Sequence, residues 1–289
     1  MLTMNSDTRL GRVIRKMSRR MFPGVAIHSS GVSVDEVALV AGLFRRRRGP
    51  ENVMMDVGAH FGYTLERFLA LGWCVYAFEP DSENRSVLEA RYLSDPHVTI
   101  DSRALSDEPH ESATLYRSPV STGISTLEPF HEQHSPAEEV VVTTLRSAVS
   151  EYGIPRITVL KVDAEGHDLP VLRGGDWDRH PPEVVIAEFD NKKTAVVGYA
   201  FEDLAEFLHG RGYQLLISEW HPVVEYGQQH RFRRVRKYPT TLKDDDAWGN
   251  LIAVAPTLLF LRLHVRFRLT HFISHACLLV RRASHRTSR

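Results

Sequence analysis

An aspartate and two glycines follow the first long apolar run of the chain. In "MMDVGAHFGY", Asp56 and Gly58 end the run and Gly62 follows four residues after Gly58. Ligands of open parallel sheets bind beyond the carboxyl ends of the strands, where glycines let a ligand lie against the backbone. A dinucleotide site would have G-x-G-x-x-G, and an acid here would repel a pyrophosphate. The spacing therefore favours a ligand with an ammonium group and no phosphate, with Asp56 accepting from it directly or through water.

A second apolar run, "CVYAF", ends in Glu79 and Pro80. An acid about twenty residues after the glycine loop accepts hydrogen bonds from a ribose diol in nucleotide-binding sheets. S-adenosylmethionine has an ammonium group and a ribose diol. The structural alternative is that Asp56 caps a helix and that Glu79 and Pro80 form a turn. Acids at two strand ends favour the cofactor site, formed by Asp56, Gly58, Gly62 and Glu79.

Another acidic group follows two later apolar runs. The segments "KVDAEGHD" and "IAEFDN" supply Asp163, Glu165, His167 and Glu188. Methyl transfer from a sulfonium is an in-line displacement, so the protein must align the nucleophile, the methyl carbon and the sulfur. A hydroxyl nucleophile must also lose its proton, which needs a base or a metal. We hypothesise that Asp163 orients or deprotonates the acceptor, and that Glu165 and Glu188 bind its hydroxyls.

Alternatives stay open for this chemistry. His167 and His60 are alternative bases, although a lone histidine near a cleft more often packs or forms a hydrogen bond. Carboxylates from two neighbouring strand ends could hold Mg²⁺ through oxygen ligands. Glu165 could also be an acid that supports the N-terminus of the following helix.

Seven apolar segments alternate with helical patterns between Ser33 and Pro256. They are "NVMMDVG", "CVYAFEP", "HVTID", "ITVLKVDAEG", "PEVVIAEFD", "YQLLISEW" and "WGNLIAVAP". Continuous apolar strands separated by helices indicate a mostly parallel sheet covered on both faces. We therefore predict an α/β domain over residues 33–256, with a doubly wound, seven-stranded, mostly parallel sheet. The stretch "SVDEVALVAGLFRRRRGP" is predicted as a helix capped by Ser33, with Arg45 to Arg48 in its last turn.

These motifs resemble the FkbM family of S-adenosylmethionine-dependent methyltransferases over residues 52–256. The strongest matches are D-V-G-A-x-x-G, from Asp56 to Gly62, and K-x-D-x-E-G, from Lys161 to Gly166. The resemblance implies the class I methyltransferase sheet, which is Rossmann-like. It also implies O-methylation of a hydroxyl on a sugar, glycolipid or polyketide-type acceptor.

The resemblance also carries residues outside the two strongest motifs. It extends the predicted cofactor site to His60, to Asp81 in "VYAFEPDSENRSVL" and to Ala104 in "SRALSD". The family more often has Asn where this chain has His60. The polar segment "STGISTLEP" is similar to a family loop that is expected to close over the acceptor, with Gly123 and Ser125 as its mobile part.

Composition argues against several other classes. Lys and Arg number 36 and Asp and Glu number 36, so no global field favours nucleic acid. Cys74 and Cys277 do not form a C-x-x-C metal motif, and a reducing cytoplasm is expected. A membrane-spanning helix needs about 20 apolar residues, and charges interrupt every long apolar run before that length.

Basic segments flank the predicted domain. Residues 1–32 contain a basic amphipathic helical pattern, and residues 257–289 hold seven arginines and no acids. Both could lie on an anionic membrane surface, which would suit a lipid-linked acceptor. Alternatively, both pack on the catalytic domain or on a second subunit of a homodimer.

Other functions are compatible with parts of this pattern. An N-methyltransferase or a small-metabolite methyltransferase would use the same cofactor site. A binding module would keep the methyltransferase fold without turnover, although the presence of all the site acids argues against degeneration. A dinucleotide-dependent oxidoreductase is disfavoured by the glycine spacing.

Overall fold

The computed structural model describes residues 25–27, 32–223, 230–255, 257 and 259–267. Its strands are β1 (Val25–Ile27), β2 (Val32–Val34), β3 (Val53–Val57), β4 (Cys74–Phe78), β5 (Val98–Asp101), β6 (Ala104–Ser106), β7 (His110–Ser118), β8 (Ser121–Thr126), β9 (Ser135–Thr144), β10 (Val159–Val162), β11 (Val184–Asp190), β12 (Gln214–Trp220), β13 (Phe232–Lys237) and β14 (Trp248–Val254). Its helices are α1 (Glu36–Leu43), α2 (Glu66–Leu69), α3 (Ser82–Tyr92), α4 (Leu145–Glu151), α5 (Asp168–Arg173), α6 (Asn191–Val197) and α7 (Phe201–His209). Residues 259–267 form a further helix, called here the C-terminal helix.

Within the described residues, the central sheet has eight strands in the order β13-β12-β14-β11-β10-β3-β4-β5. The pairs from β11 to β5 are parallel, whereas β14 runs antiparallel to both β11 and β12. The predicted doubly wound α/β sheet is therefore confirmed, and all seven predicted strands belong to it. The eighth strand is β13, which lies in sequence between the last two predicted strands. Three arginines accompany half-buried Phe232 and Val235 in this strand, and a high charge content is common in edge strands.

A second sheet of four strands, in the order β6-β9-β7-β8, covers part of residues 104–144. Its apolar core is small, with Ala104, Leu115, Val140 and Val142. Most of the side chains in β7 and β9 are exposed or half-buried, so the sequence lacks the continuous apolar runs that indicate strands. The segment that was predicted as a loop, "STGISTLEP", mostly forms strand β8 of this sheet.

Apolar side chains cover both faces of the central sheet. Residues of β3, β10 and β11 alternate between two buried clusters, one packed by α4, α5 and α7 and the other by α1 and α3. Complete burial explains why these strands read as continuous apolar runs. Because β3, β10 and β11 are parallel, their carboxyl ends bring the predicted site residues to one edge of the sheet.

The first helix is shorter than predicted. Asp35, not Ser33, caps it by accepting from the Ala38 amide at 2.7 Å, and Ser33 belongs to β2. The helix ends at Leu43, so Arg45 to Arg48 lie beyond its last turn. Beyond the helix, the Arg47 guanidinium pairs with Glu183 at 2.7 Å.

Much of each terminal segment lies outside the described residues, including residues 1–24 and 268–289. The C-terminal helix packs on the sheet, with Phe260, Leu263 and Phe267 buried in the same apolar cluster as Phe44. Among the described helices, none is long and apolar enough to cross a membrane. The predicted boundaries at residues 32 and 256 stay predictions.

Candidate active site

A cleft with an empty volume of about 810 Å³ opens at the carboxyl ends of β3, β4 and β10. The cleft is lined on one side by Gly58, His60 and Glu79, and on the other by Asp163, Glu165 and His167. Ala104 and residues of β8 also line it. The structure thus brings most of the predicted site residues to one cavity.

Gly58 brings the glycine loop against the end of β10. Its backbone has φ +75°, and an added Cβ would lie 1.9 Å from the carbonyl oxygen of Asp163. Its amide donates to the Phe78 carbonyl at 3.0 Å, which ties the loop to β4. Gly62 lies beyond the cleft lining, where an added Cβ would meet the Leu88 side chain at 2.5 Å. Only glycine fits both positions without displacing a neighbour.

Asp56 is fully buried and lies outside the lining of the cleft. Its carboxylate accepts from the Thr64 hydroxyl and pairs with the Lys161 ammonium at 3.2 Å. Lys161 also lies 3.3 Å from Asp163. Burial alone would lower the pKa of Lys161, but Asp56 and Asp163 outweigh it and raise that pKa. Lys161 therefore links a buried acid to an acid in the cleft.

Glu79 is buried at the end of β4, with both oxygens hydrogen-bonded. They accept from the amides of His60 at 2.7 Å and Asp81 at 2.9 Å. Burial raises the pKa of Glu79 to about 7, although both amides act against this shift. The two amides fix the carboxylate in one orientation at the wall of the cleft.

Asp81 lies behind the cleft wall rather than in its lining. It caps α3 by accepting from the Glu83 and Asn84 amides, and it pairs with Arg117 at 2.7 Å. The Ser125 hydroxyl also donates to it at 2.7 Å. These contacts of Asp81 therefore join α3 to β7 and β8.

Strand β8 covers the cleft and is fastened on both sides. Thr122 lies 3.1 Å from His60 Nε2, and its carbonyl accepts from Asn84 at 2.9 Å. On the other side, the Thr126 hydroxyl donates to the Glu165 carbonyl at 3.1 Å. Part of the cover predicted from "STGISTLEP" is therefore a strand held by hydrogen bonds.

Both predicted histidines line the cleft in environments that favour the neutral ring. Burial lowers the pKa of His60, which also stacks on Phe61 with ring centroids 3.8 Å apart. Burial likewise lowers the pKa of His167, whose Nε2 lies 2.8 Å from the Ser106 hydroxyl. Among the described residues, His167 Nδ1 is buried without a hydrogen-bond partner. A neutral imidazole can accept a proton or orient a hydroxyl.

Lys193 is the centre of a buried acidic cluster below the cleft. Its ammonium lies 2.5 Å from Glu165 and 2.6 Å from Glu188, while Asp168 accepts from the Glu188 amide at 3.2 Å. Burial raises the pKa values of Glu165 and Asp168 to about 7, and that of Glu188 well above its usual range. One ammonium cannot compensate three buried carboxylates, so the cluster retains protons near neutral pH.

Asp163 differs from the other acids of this region. Burial would raise its pKa, but the ammonium groups of Lys161 and Lys193 outweigh burial and hold that pKa below the ordinary value. About a third of its side chain is exposed, toward the cleft. Asp163 is therefore an ionised hydrogen-bond acceptor at neutral pH.

The oxygens of Asp163, Glu165 and Glu188 lie within 4.8 Å of one another, as metal ligands do. Two of the three already contact the Lys193 ammonium. A divalent cation would have to compete with that ammonium for the same oxygens. The residues therefore fit an internal lysine better than Mg²⁺, and no step of the chemistry below uses a metal.

Sequence reasoning missed the roles of the two buried lysines. A charged residue within the apolar run "ITVLKV" is a signal that Lys161 has a buried partner, because lysine is rarely buried unpaired. Lys193 has no such signal, because it stands next to an identical residue in sequence. Its neighbour Lys192 is exposed and pairs with Asp246. The tertiary path of α6 decides which of the two lysines is buried.

Comparison with known proteins adds a family assignment. The sequence model of the methyltransferase FkbM domain matches residues 56–215. No curated protein has a significant sequence match to the chain.

Several solved methyltransferase structures are similar to this one in overall shape. Precorrin-6y C5,15-methyltransferase from Geobacter metallireducens is 12% identical, with a TM-score of 0.42 over 80% of this chain and 93% of that one. An O-methyltransferase of tomaymycin synthesis from Streptomyces achromogenes, solved with SAM, is 12% identical, with a TM-score of 0.41 over 87% and 92% of the two chains. An rRNA methylase from Streptococcus thermophilus is 10% identical, with a TM-score of 0.39 over 76% and 95%. At these scores the likenesses carry no argument about the acceptor.

Proposed function

The chain belongs to the FkbM family of S-adenosylmethionine-dependent methyltransferases, whose model matches more than half of it, and we propose that it methylates a hydroxyl oxygen. The acceptor that we propose is a polyhydroxylated molecule, namely a saccharide, a glycolipid or a polyketide. The observation that carries this proposal is the pairing in one cleft of an ionised acid, Asp163, with an acid of raised pKa, Glu165.

We assign the cofactor to the side of the cleft formed by β3 and β4. Gly58 leaves the backbone open there, and Glu79 presents a carboxylate fixed by two amides. Such a carboxylate suits the two hydroxyls of a ribose. His60 and Ala104 line the same cavity and complete the proposed binding surface.

The other predicted cofactor residues act behind this surface. Asp56 holds Lys161, and Asp81 holds Arg117 and Ser125, so we propose that both position the cleft rather than contact the ligand. Gly62 allows close packing on α3. When bound, S-adenosylmethionine supplies an electrophilic methyl carbon on its sulfonium.

Asp163 and Glu165 divide the work on the acceptor. Asp163 remains ionised and accepts a hydrogen bond from a hydroxyl next to the reacting one, which orients the reacting oxygen for attack. Glu165, with a pKa of about 7, is matched to proton removal near neutral pH. The acceptor oxygen bonds to the methyl carbon, the carbon–sulfur bond breaks, and the hydroxyl proton moves to Glu165. S-adenosylhomocysteine leaves as the second product.

Three features of the wall support a polyhydroxylated acceptor. Asp163 and Glu165 offer carboxylate oxygens, and His167 presents a buried ring nitrogen without a described partner. Glu188 lies deeper and acts on Glu165 through Lys193. Groups that accept hydrogen bonds are suited to hydroxyl donors. The same wall would bind an amine through Asp163 alone, so acceptor screening separates O-methylation from N-methylation.

The test uses methyl-labelled S-adenosylmethionine with two acceptor panels, one of glycosides and macrolactones and one of amines. We expect the label to be transferred to the hydroxyl panel. Asp163→Asn and Glu165→Gln should each lower kcat at least 100-fold, because a positioned acid or base contributes at least about that factor to the rate. Glu132→Gln is the control, because Glu132 is an exposed acid outside the cleft lining. Binding of S-adenosylhomocysteine should persist in all three variants.

Two results would contradict the proposal. Label confined to the amine panel would replace O-methylation by N-methylation. Near-normal kcat in both cleft variants, with the product still bound, would remove Asp163 and Glu165 from the chemistry.

A further inference from the structure

A groove lies between the end of α1 and the C-terminal helix, near the end of the sheet opposite the cleft. Arginines and aliphatic residues line it, namely Arg45, Arg46, Arg262, Arg266, Leu261 and Val265. Arg45 and Arg46 directly precede Arg47, which pairs with Glu183 at the start of β11. The cleft lies beyond the other end of that strand. From this groove we infer a docking surface for an anionic lipid bilayer.

The C-terminal helix has two distinct faces. Phe260, Leu263 and Phe267 are at most 2% exposed and pack in the core. On the outer face, Leu261 and Val265 are 53% and 54% exposed, one helical turn apart. Arginines 262 and 266 follow them directly in sequence. An outer face that combines large aliphatic side chains with arginines is typical of helices that lie in a membrane interface.

Three of the four arginines in the groove are not compensated by the described residues. Arg45, Arg46 and Arg262 are exposed and form no ion pair with any described residue, and no carboxylate is found among the residues that line the groove. Arg266 is fixed in place by donating to the Gly42 carbonyl at 3.1 Å. Burial and the nearby Arg45 lower the pKa of Arg266. Clustered like charges of this kind favour a multiply anionic partner.

The apolar component favours lipid over nucleic acid. Single-stranded nucleic acid is bound by basic grooves that also carry aromatic side chains for base stacking. The described lining of this groove is aliphatic apart from its arginines and Gly42. The basic character also continues in sequence, because residues 268–289 add five arginines and no acid. On an anionic bilayer the arginines pair with lipid phosphates and the aliphatic side chains enter the acyl boundary. A bilayer therefore accounts for both the basic and the apolar residues of the groove.

The test is co-sedimentation of the full chain with vesicles of phosphatidylcholine, with and without 30 mol% phosphatidylglycerol as a chosen composition. We expect binding only to the anionic vesicles, weakened by salt. Arg45→Gln combined with Arg262→Gln should weaken partitioning about 30-fold, since each arginine near an anionic surface contributes a factor of about five. The control is Arg173→Gln with Arg179→Gln, the same charge change at exposed arginines outside the groove.

Three results would overturn the inference. They are the absence of wild-type binding to anionic vesicles, equal losses in the groove pair and the control pair, and binding of the groove to a single-stranded RNA 20-mer but not to vesicles. Thermal unfolding of both double variants should match the wild type, because the substituted side chains are exposed. The proposed methyl transfer is unaffected by any of these outcomes, because the groove is separate from the cleft.

Discussion

Replacing Gly58 by alanine tests whether the contact between the glycine loop and β10 builds the cofactor site. Gly198 is the matched control, because it also has a left-handed backbone, φ +89°, but no atom within 4 Å of an added Cβ. Alanine in that conformation costs about 1–2 kcal/mol. Gly198→Ala should therefore lose only that amount of unfolding free energy and keep the affinity for S-adenosylhomocysteine.

Gly58→Ala should lose more, because its Cβ would lie 1.9 Å from a backbone oxygen that cannot rotate away. Moving the loop apart from Asp163 adds about 1–3 kcal/mol to the strain, the usual cost of overpacking. The shift should also weaken S-adenosylhomocysteine binding about 10-fold, the effect of losing one hydrogen bond worth about 1.4 kcal/mol. Urea unfolding and isothermal titration measure the two effects. Equal stability and affinity in both variants would refute the reasoning.

Two further predictions concern the buried charges. Burial raises the pKa of Asp168 to about 7, so the folded state holds a proton that the unfolded state loses, and unfolding free energy falls as pH rises from about 4 to 7. Asp168→Asn should therefore raise the free energy of unfolding above that of wild type by up to about 4 kcal/mol at pH 8 and leave it unchanged at pH 3.5. Urea unfolding at both pH values measures the difference, and an equal gain at both would contradict the reasoning. Lys161→Met should cost about 3–5 kcal/mol because it leaves Asp56 buried and unpaired. Adding Asp56→Asn should recover part of that loss in thermal melts, and full additivity would show that the pair is not coupled.

The parts of the fold that were predictable are those in which local pattern and burial agree. The strands that end at Val57, Phe78 and Asp190 are completely or largely buried, so their apolar runs are continuous and their ends are visible in sequence. The strands from Ala104 to Thr144 could not be found in this way. They pack a small core, and their many polar side chains reach solvent or one another across the sheet, as Thr114 reaches Glu139.

Site geometry was predictable to the level of strand ends and no further. Position along a parallel strand predicts that Asp163 and Glu165 reach the cleft, but not that Asp56 turns inward to Lys161. Asp81 shows the same limit, because a helix cap and a ligand contact require the same residue type at the same place. Only the packing of β7 and β8, which brings Arg117 to Asp81, separates the two roles.

Acidic groups outnumber ammonium groups at the carboxyl ends of β3, β10 and β11. The ammonium groups described there are those of Lys161 and Lys193. The acids around them are Asp56, Asp163, Glu165, Asp168 and Glu188. The ionised carboxylate of Asp163 suits a cationic methyl donor, but a field that only attracted the donor would oppose a reaction that removes its positive charge. In the proposed reaction Glu165 resolves this conflict. It gains the acceptor's proton while the sulfonium loses its charge, so the negative charge of the cluster falls in the same step.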